Sequence, residues 1–348
     1  MATLAFDDAT LQELRDFNRK LARTPRFGMQ YRPLARLAQL LLRTSQIGAD
    51  RRLARAGIAA EARRVSDAVS AEGVRVRILR PLRPAAGRVR AVVLDIHGGG
   101  WVLGNARMND KLNAAMIAAC DVAVVSVDYR LALATPIAGL MDDCLAAARW
   151  LLGGGLPEYA GLPVFVVGES AGGHLAAATL LRLRAWPGLL RRIHGAVLYY
   201  GVYDFGGTPG VRQAGPDTLV LDGPGMLPAL RRLTPGLSDA ERRQPPLSPL
   251  YGDLAGLPPA ILFAGERDPL RDDTITMAAR WRASVSDPAS DPAAAPASSE
   301  AGVELHLLPE APHGIIHFPV RMARLVTARS HAWIRARIDA LDPVSSSP

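Results

Sequence analysis

Val164-Phe165-Val166-Val167 followed by Gly168-Glu169-Ser170-Ala171-Gly172-Gly173 and then His174-Leu175-Ala176-Ala177-Ala178 is the stretch that decides the reading of this chain. An apolar run, a glycine-bounded turn and a helix-forming run succeed one another without a gap. The pattern G-x-S-x-G between a strand and a helix describes a turn that lifts a serine hydroxyl clear of the end of a sheet. Gly168 and Gly172 allow close backbone approach and the dihedrals that such a reversal demands. Ser170 then stands at a helix N-terminus, where free amide groups favour negative charge. Three fixed residues alone are a weak signal, and an ordinary N-cap serine would read the same. The partners have to decide.

On either side of this stretch, apolar strands alternate with helical patterns. Strands are expected at Val92–Ile96, Val122–Val127, Val164–Val167, Ala196–Tyr200, Ala260–Phe263 and Val303–Leu308. Helices are expected near 107–119, 137–152, 171–184, 271–284 and 319–341. Such alternation implies a mostly parallel sheet covered on both faces. Ahead of it, Arg64–Ser70 and Val74–Leu79 alternate apolar with polar residues around Ala71-Glu72-Gly73, which predicts an edge hairpin turning at those three residues. Before any strand, residues 7–22 and 31–43 carry Leu11, Leu14, Phe17, Leu21 and Leu34, Leu37, Leu40, Leu41 at helical spacing. Packing against the main domain is the plain expectation for those leucines, and a lid over a site the functional one. Residues 205–247 are a Gly, Pro and Arg-rich excursion with a helical stretch at Met226–Leu233, and 285–302 is an Ala/Pro/Ser/Asp insert expected to be a surface loop.

In a parallel sheet, ligands bind beyond the carboxyl ends of the strands. The segments just past the strand ends here are His97-Gly98-Gly99-Gly100-Trp101, the serine turn, Glu266-Arg267-Asp268-Pro269 and Pro312-His313-Gly314. A serine needs a neighbouring base, histidine has a suitable pKa, and an acid must orient that base. Ser170, Asp268 and His313 fit those roles in the chain order of α/β-hydrolases. His317 is a rival base, and Glu266, Asp272 and Asp273 are rival acids. His97 reads as a brace for the glycine loop, His174 and His194 as packing residues, and His306 as a strand residue. Backbone donors for a developing oxyanion would come from Gly99, Gly100 and Ala171. A phosphate-binding reading of the glycine loop fails, because Leu103 stands where a third glycine would be needed and no Walker lysine comes after it. Trp101, Val102, Leu103, Tyr200 and Val202 are candidate pocket walls.

Composition bounds the alternatives. The chain has 348 residues, 49% of them hydrophobic, which suffices for a large core. Its formal charge of +8 comes almost wholly from arginine, scattered along the chain, with Lys20 and Lys111 the lysines. That argues against a nucleic-acid partner, which would need a concentrated stripe. Cys120 and Cys144 are too few for a disulfide framework, and the start of the chain lacks a secretory pattern, so a cytoplasmic protein without membrane insertion is expected. No metal-ligand cluster or cofactor motif is read.

His97–Trp101, Asp128-Tyr129-Arg130-Leu131, Gly168–Gly173, Ser248-Pro249-Leu250, Asp268-Pro269-Leu270 and His313-Gly314 together resemble the hormone-sensitive-lipase-like family of α/β-hydrolases over about residues 62–341. The resemblance implies a cofactor-independent carboxylesterase, with small or medium acyl esters the expected substrates, an N-terminal helical cap over 1–61, a catalytic domain over 62–348, a second cap segment within 205–247, and a homodimer. Amide or lactone hydrolysis, or a silent binding homologue, stay open as alternatives. Two departures stand out. Leu133-Ala134 replaces the Pro-Glu usual after Ala132, which removes a carboxylate near Arg130, and Asp95 replaces an apolar or aromatic residue before the glycine loop.

Overall fold

The computed structural model describes residues 4–28, 32–285 and 302–341. The chain runs α1 (Asp8–Leu21), α2 (Arg32–Ser45), α3 (Ala49–Arg55), β1 (Ile58–Asp67), β2 (Ser70–Pro81), β3 (Ala91–Ile96), α4 (Asp110–Cys120), β4 (Val122–Asp128), α5 (Ile137–Leu152) and β5 (Val164–Glu169). It continues α6 (Ala171–Leu183), α7 (Pro187–Leu190), β6 (Ile193–Tyr199), α8 (Pro209–Arg212), α9 (Gly223–Leu233), α10 (Asp239–Arg242), β7 (Ala260–Gly265), α11 (Arg271–Val285), β8 (Val303–Leu308) and α12 (Arg321–Leu341). The insert expected at 285–302 lies, apart from its two ends, outside the described residues.

The sheet order is β1-β2-β4-β3-β5-β6-β7-β8. β1 pairs antiparallel with β2 and β2 with β4, and every other pairing is parallel. The central strands β3 and β5 are buried at every position, which is why they read as apolar runs, interrupted by Asp95 in β3 and closed by Glu169 in β5. One core fills the face under α5, α6 and α11, with Leu145, Leu175 and Trp281. The other lies under α4 and α12, with Met116, Trp333 and Ile334.

The edge hairpin differs from expectation. Its turn falls at 68–69, with the Val69 amide bonded to Asp67 Oδ1 at 3.0 Å. Ala71-Glu72-Gly73 instead forms an irregularity in the pairing, where Val65 faces Val74 but Asp67 faces Ser70. Gly73 takes φ +69, so the glycine marks a bulge and not the turn. The boundary placed at 61/62 also falls inside β1.

The two N-terminal helices behave differently. α1 joins the second core through Leu14, sets Phe17 against Phe318 with ring centroids 4.9 Å apart, and donates from Asn18 to the Glu310 carbonyl at 2.8 Å. α2 packs through Ala35 and Gln39 and leaves Leu37, Leu40 and Leu41 exposed, contrary to the expected packing of those leucines. Leu34 lies where no side chain is described.

Candidate active site

The turn after β5 is built by steric necessity. Ser170 sits at φ 53, ψ −120, a region that L residues rarely occupy. A Cβ on Gly172 would meet the Ile96 carbonyl oxygen at 2.0 Å, and one on Gly168 the Gly172 oxygen at 2.5 Å. α6 therefore docks directly on the end of β3. The Ser170 amide is held by the Tyr199 carbonyl at 2.9 Å.

Three side chains from three loops meet there. His313 Nε2 is 2.9 Å from Ser170 Oγ, and His313 Nδ1 is 2.8 Å from Asp268 Oδ2. The other Asp268 oxygen accepts the Leu270 amide at 2.9 Å, which fixes the carboxylate. The Asp268 side chain is fully buried, so its charge acts on His313 with little solvent screening. The rivals go elsewhere. Glu266 is exposed, and Asp272 pairs with Arg271. Asp273 accepts the Tyr203 and Asp204 amides at 2.7 and 2.9 Å and the Thr208 hydroxyl at 2.5 Å, tying down the loop after β6. Burial lifts its carboxyl to about 7 against those hydrogen bonds.

The glycine loop curls over the serine. Gly99 and Gly100 take φ 102 and 58, and a Cβ on Gly99 would strike the Leu103 carbonyl oxygen at 2.0 Å. The amides of Gly99, Gly100 and Ala171 donate to no acceptor among the described residues. His97 is fully buried, stacks on Tyr129 at 4.2 Å and places Nδ1 2.8 Å from the Gly98 carbonyl, the bracing position read from the sequence. His174 is packed, taking the Trp101 indole N–H at 3.1 Å and contacting the Leu247 carbonyl at 2.9 Å, and burial brings its pKa down to about 4. His194 is half-buried on β6, and His306 stacks on Phe263 at 5.1 Å.

A cavity of about 190 Å³ opens at Ser170 and His313. Trp101, Leu103 and Val202 line it, but Val102 and Tyr200 do not. Trp101 adopts φ 63 in the turn that ties the Val102 amide to the Gly99 carbonyl, and Val102 ends buried off the cavity. Tyr200 lies behind the histidine, its ring edge-on to His313 at 4.7 Å and its hydroxyl donating to Glu169 Oε2 at 3.2 Å. The cavity is completed by Phe27 and Gly28 from the N-terminal segment and by Leu221 and Met226 from the excursion.

Glu169 and His317 form a pair whose role the sequence pattern does not assign. His317 Nε2 lies 2.9 Å from Glu169 Oε2, while Glu169 Oε1 accepts the Gly98 amide at 3.2 Å. Burial disfavours both charges, yet each holds the other: Glu169 is brought down to about 2 and His317 is raised above its usual range. The available signal was a carboxylate at the end of a wholly apolar strand, which needs a partner when buried.

Both departures from the family pattern find a structural explanation. Arg130 is clamped bidentately by Asp143, Nε and Nη2 each donating at 2.9 Å, so the lost glutamate is replaced from α5. Asp95 accepts from Asn109, Asn113 and Ser126 at 3.0, 2.9 and 2.8 Å on the α4 face of the sheet and does not line the Ser170 cavity. Among the described residues no group of three or more His, Cys, Asp or Glu side chains is placed to hold a metal ion.

A family model described as alpha/beta hydrolase fold matches residues 93–316. Carboxylesterase NlhH of Mycobacterium tuberculosis is 33% identical over 257 residues, 72% of this chain and 74% of that protein. LipN, a carboxylic ester hydrolase of the same organism, is 35% identical over 222 residues, 59% of this chain and 56% of LipN. Among solved structures, esterase LipW from Mycobacterium marinum superposes with a TM-score of 0.76 at 26% identity, covering 94% of this chain and 96% of that one. An esterase from the bacterial hormone-sensitive lipase family superposes with a TM-score of 0.71 at 25% identity, covering 96% and 100%.

Proposed function

The chain belongs to the hormone-sensitive-lipase-like family of α/β-hydrolases and is a carboxylic ester hydrolase, and from that premise we propose that it works through an acyl-enzyme on Ser170. The observation that carries this is the unbroken chain Ser170 Oγ, His313, Asp268 on a strained turn facing a cavity. His313 Nε2 takes the hydroxyl proton as Oγ attacks the ester carbonyl, and Asp268 stabilises the resulting imidazolium. The amides of Gly99, Gly100 and Ala171 receive the oxyanion, and loss of one such donor costs about 100- to 1000-fold in turnover. His313 returns the proton to the departing alcohol. Water, deprotonated by the same nitrogen, then releases the acid and restores Ser170.

The size of the cavity supports small acyl esters. About 190 Å³ is below the roughly 300–1,000 Å³ of sites for drug-sized ligands. We read residues 1–61, with part of 205–247, as the cap that sets this size. The support is backbone pairing between the two segments, the Phe27 amide to the Val220 carbonyl at 2.6 Å and the Asp222 amide to the Phe27 carbonyl at 3.1 Å. A cytoplasmic setting accords with two free buried thiols, of which Cys120 is pushed up to about 12 by burial. Among the described residues no helix is long and apolar enough to cross a membrane. A homodimer, as the resemblance implies, is open to direct measurement of mass in solution.

The test is a p-nitrophenyl ester series with rising acyl length, run on wild type and Ser170→Ala. Highest kcat/KM at the shortest chains and loss of turnover in the variant are expected. Wild-type-like turnover in Ser170→Ala would sink the mechanism. An optimum at long chains would overturn the size reading alone.

A further inference from the structure

Helix α2 is mounted the wrong way round for a helix of a water-soluble domain. Among its described side chains Ala35 and Gln39 are buried and Leu42 is half-buried, and Gln39 holds both the amide and the carbonyl of Gly104 at 2.8 Å. Gln46 accepts from Asn105 Nδ2 at 2.8 Å just beyond the helix end. Three of its leucines point out, with Leu37, Leu40 and Leu41 at 53%, 58% and 60% exposure, and Ile47 is at 76%. These are four of the seven large apolar side chains exposed among the described residues, and all lie within eleven positions of one another. At 3.6 residues per turn the three leucines share one arc of the helix, opposite Ala35 and Gln39, and Ile47 follows in the turn past its end.

The chain around that stripe is mainly basic, and the first acid after it, Asp50, is bridged to Arg77 and Arg107. Between Phe17 and Ala49 the sequence holds seven basic residues and no acidic one, which is most of the net +8 of the whole chain. These are seven of the chain's 41 basic residues, and what singles the stretch out is the lack of acids among them. Arg36 and Arg43 are exposed on one margin of the stripe, and Arg51 and Arg55 of α3 are exposed close behind it in sequence. An exposed apolar patch marks an interaction surface, and a leucine stripe edged by arginine fits the boundary of an anionic bilayer. A second copy of the chain fits poorly. A two-fold contact through this face would bring the arginine margins of the two helices together.

We propose that α2 docks the enzyme peripherally on a lipid surface bearing anionic headgroups, the leucines entering the headgroup boundary and the arginines meeting the phosphates. The helix cannot span the bilayer and lies in its plane. Gln39 ties it to Gly104, next to the cavity residue Leu103, and the Phe27-Gly28 segment that precedes it lines the same cavity. Docking through α2 thus sets the active site beside the membrane, where an ester partitioned into the bilayer is concentrated.

The test is sedimentation of the full chain with sucrose-loaded vesicles of phosphatidylcholine, with and without phosphatidylglycerol, together with the mass in solution by light scattering. Binding is expected to the phosphatidylglycerol vesicles and to weaken at high salt. Arg36→Gln/Arg43→Gln should weaken it about 25-fold, taking about fivefold for each surface arginine. Leu37→Ser/Leu40→Ser/Leu41→Ser should reduce it about tenfold or more. Turnover of a soluble short ester should stay at wild-type level in both variants, which shows that they are folded. Equal sedimentation with both lipid compositions, no sedimentation with either, or a dimer that the leucine variant dissociates would each overturn the proposal.

Discussion

Helices α6 and α2 are both rich in Ala and Leu, yet they treat those residues in opposite ways. α6 is buried at every position from Ala171 to Leu180, so its sequence shows no polar face, and its seat is dictated by backbone contact of Gly172 with β3. α2 has a clear apolar stripe and presents it to solvent. The contrast teaches that an apolar periodicity identifies a helix and a face but not what that face meets. Where covalent geometry fixes the seat, as at the elbow, position and role follow together.

The largest effect that would break the comparison lies at Ser170. Ser170→Ala and Ser170→Gly should both lose on the order of 10⁴-fold or more in kcat on a p-nitrophenyl ester. They should differ in stability. Because φ is 53 and ψ −120 at this position, the glycine variant should be more stable than wild type by about 1–2 kcal/mol in urea melts. Unchanged stability in Ser170→Gly would mean that the turn is not strained. Next in size is Gly172→Ala. A Cβ placed 2.0 Å from the Ile96 oxygen has only backbone to push against, so a loss of about 3 kcal/mol or more is expected, with the melting temperature as the check. The same Gly→Ala change at Gly236, where nothing lies within 4 Å but φ is +80, should cost only the dihedral strain, about 1 kcal/mol.

How far the sequence was legible follows the same division. β8 and α5 fall where periodicity places them, because buried strands and long helices leave unambiguous runs. Ser170, Asp268 and His313 could be picked out because each comes just after a strand end, and topology alone brings strand ends together. Val102 and Tyr200 could not be excluded from the cavity, since the positive φ of Trp101 and Tyr200 that redirects them is a property of the folded turn. The hairpin turn was misplaced because Gly73 signals an unusual backbone without saying whether it is a turn or a bulge. The Asp143 clamp on Arg130 was hidden for another reason: the two lie thirteen positions apart across a loop and a helix, and no local pattern announces the pair.

The smallest expected effect concerns the Glu169–His317 pair in the cavity wall. Burial works against a charge on His317, but the Glu169 carboxylate outweighs it and Asp95 adds to it from farther away, so the imidazole protonates more readily in the folded chain than in the unfolded one. Glu169 is brought down to about 2 and stays ionised throughout the working range. A base whose pKa rises on folding contributes its stability fully below the unfolded value near 6.5 and loses it as pH climbs through the folded value. The gap in urea midpoint between wild type and His317→Gln should therefore be widest near about pH 5.5 and should narrow by about pH 9. Glutamine keeps a donor for Glu169, so the residual gap at high pH isolates packing from charge. A gap that is constant with pH would show that folding leaves the His317 pKa unchanged, and one that shrinks toward low pH that His317 is neutral in the fold.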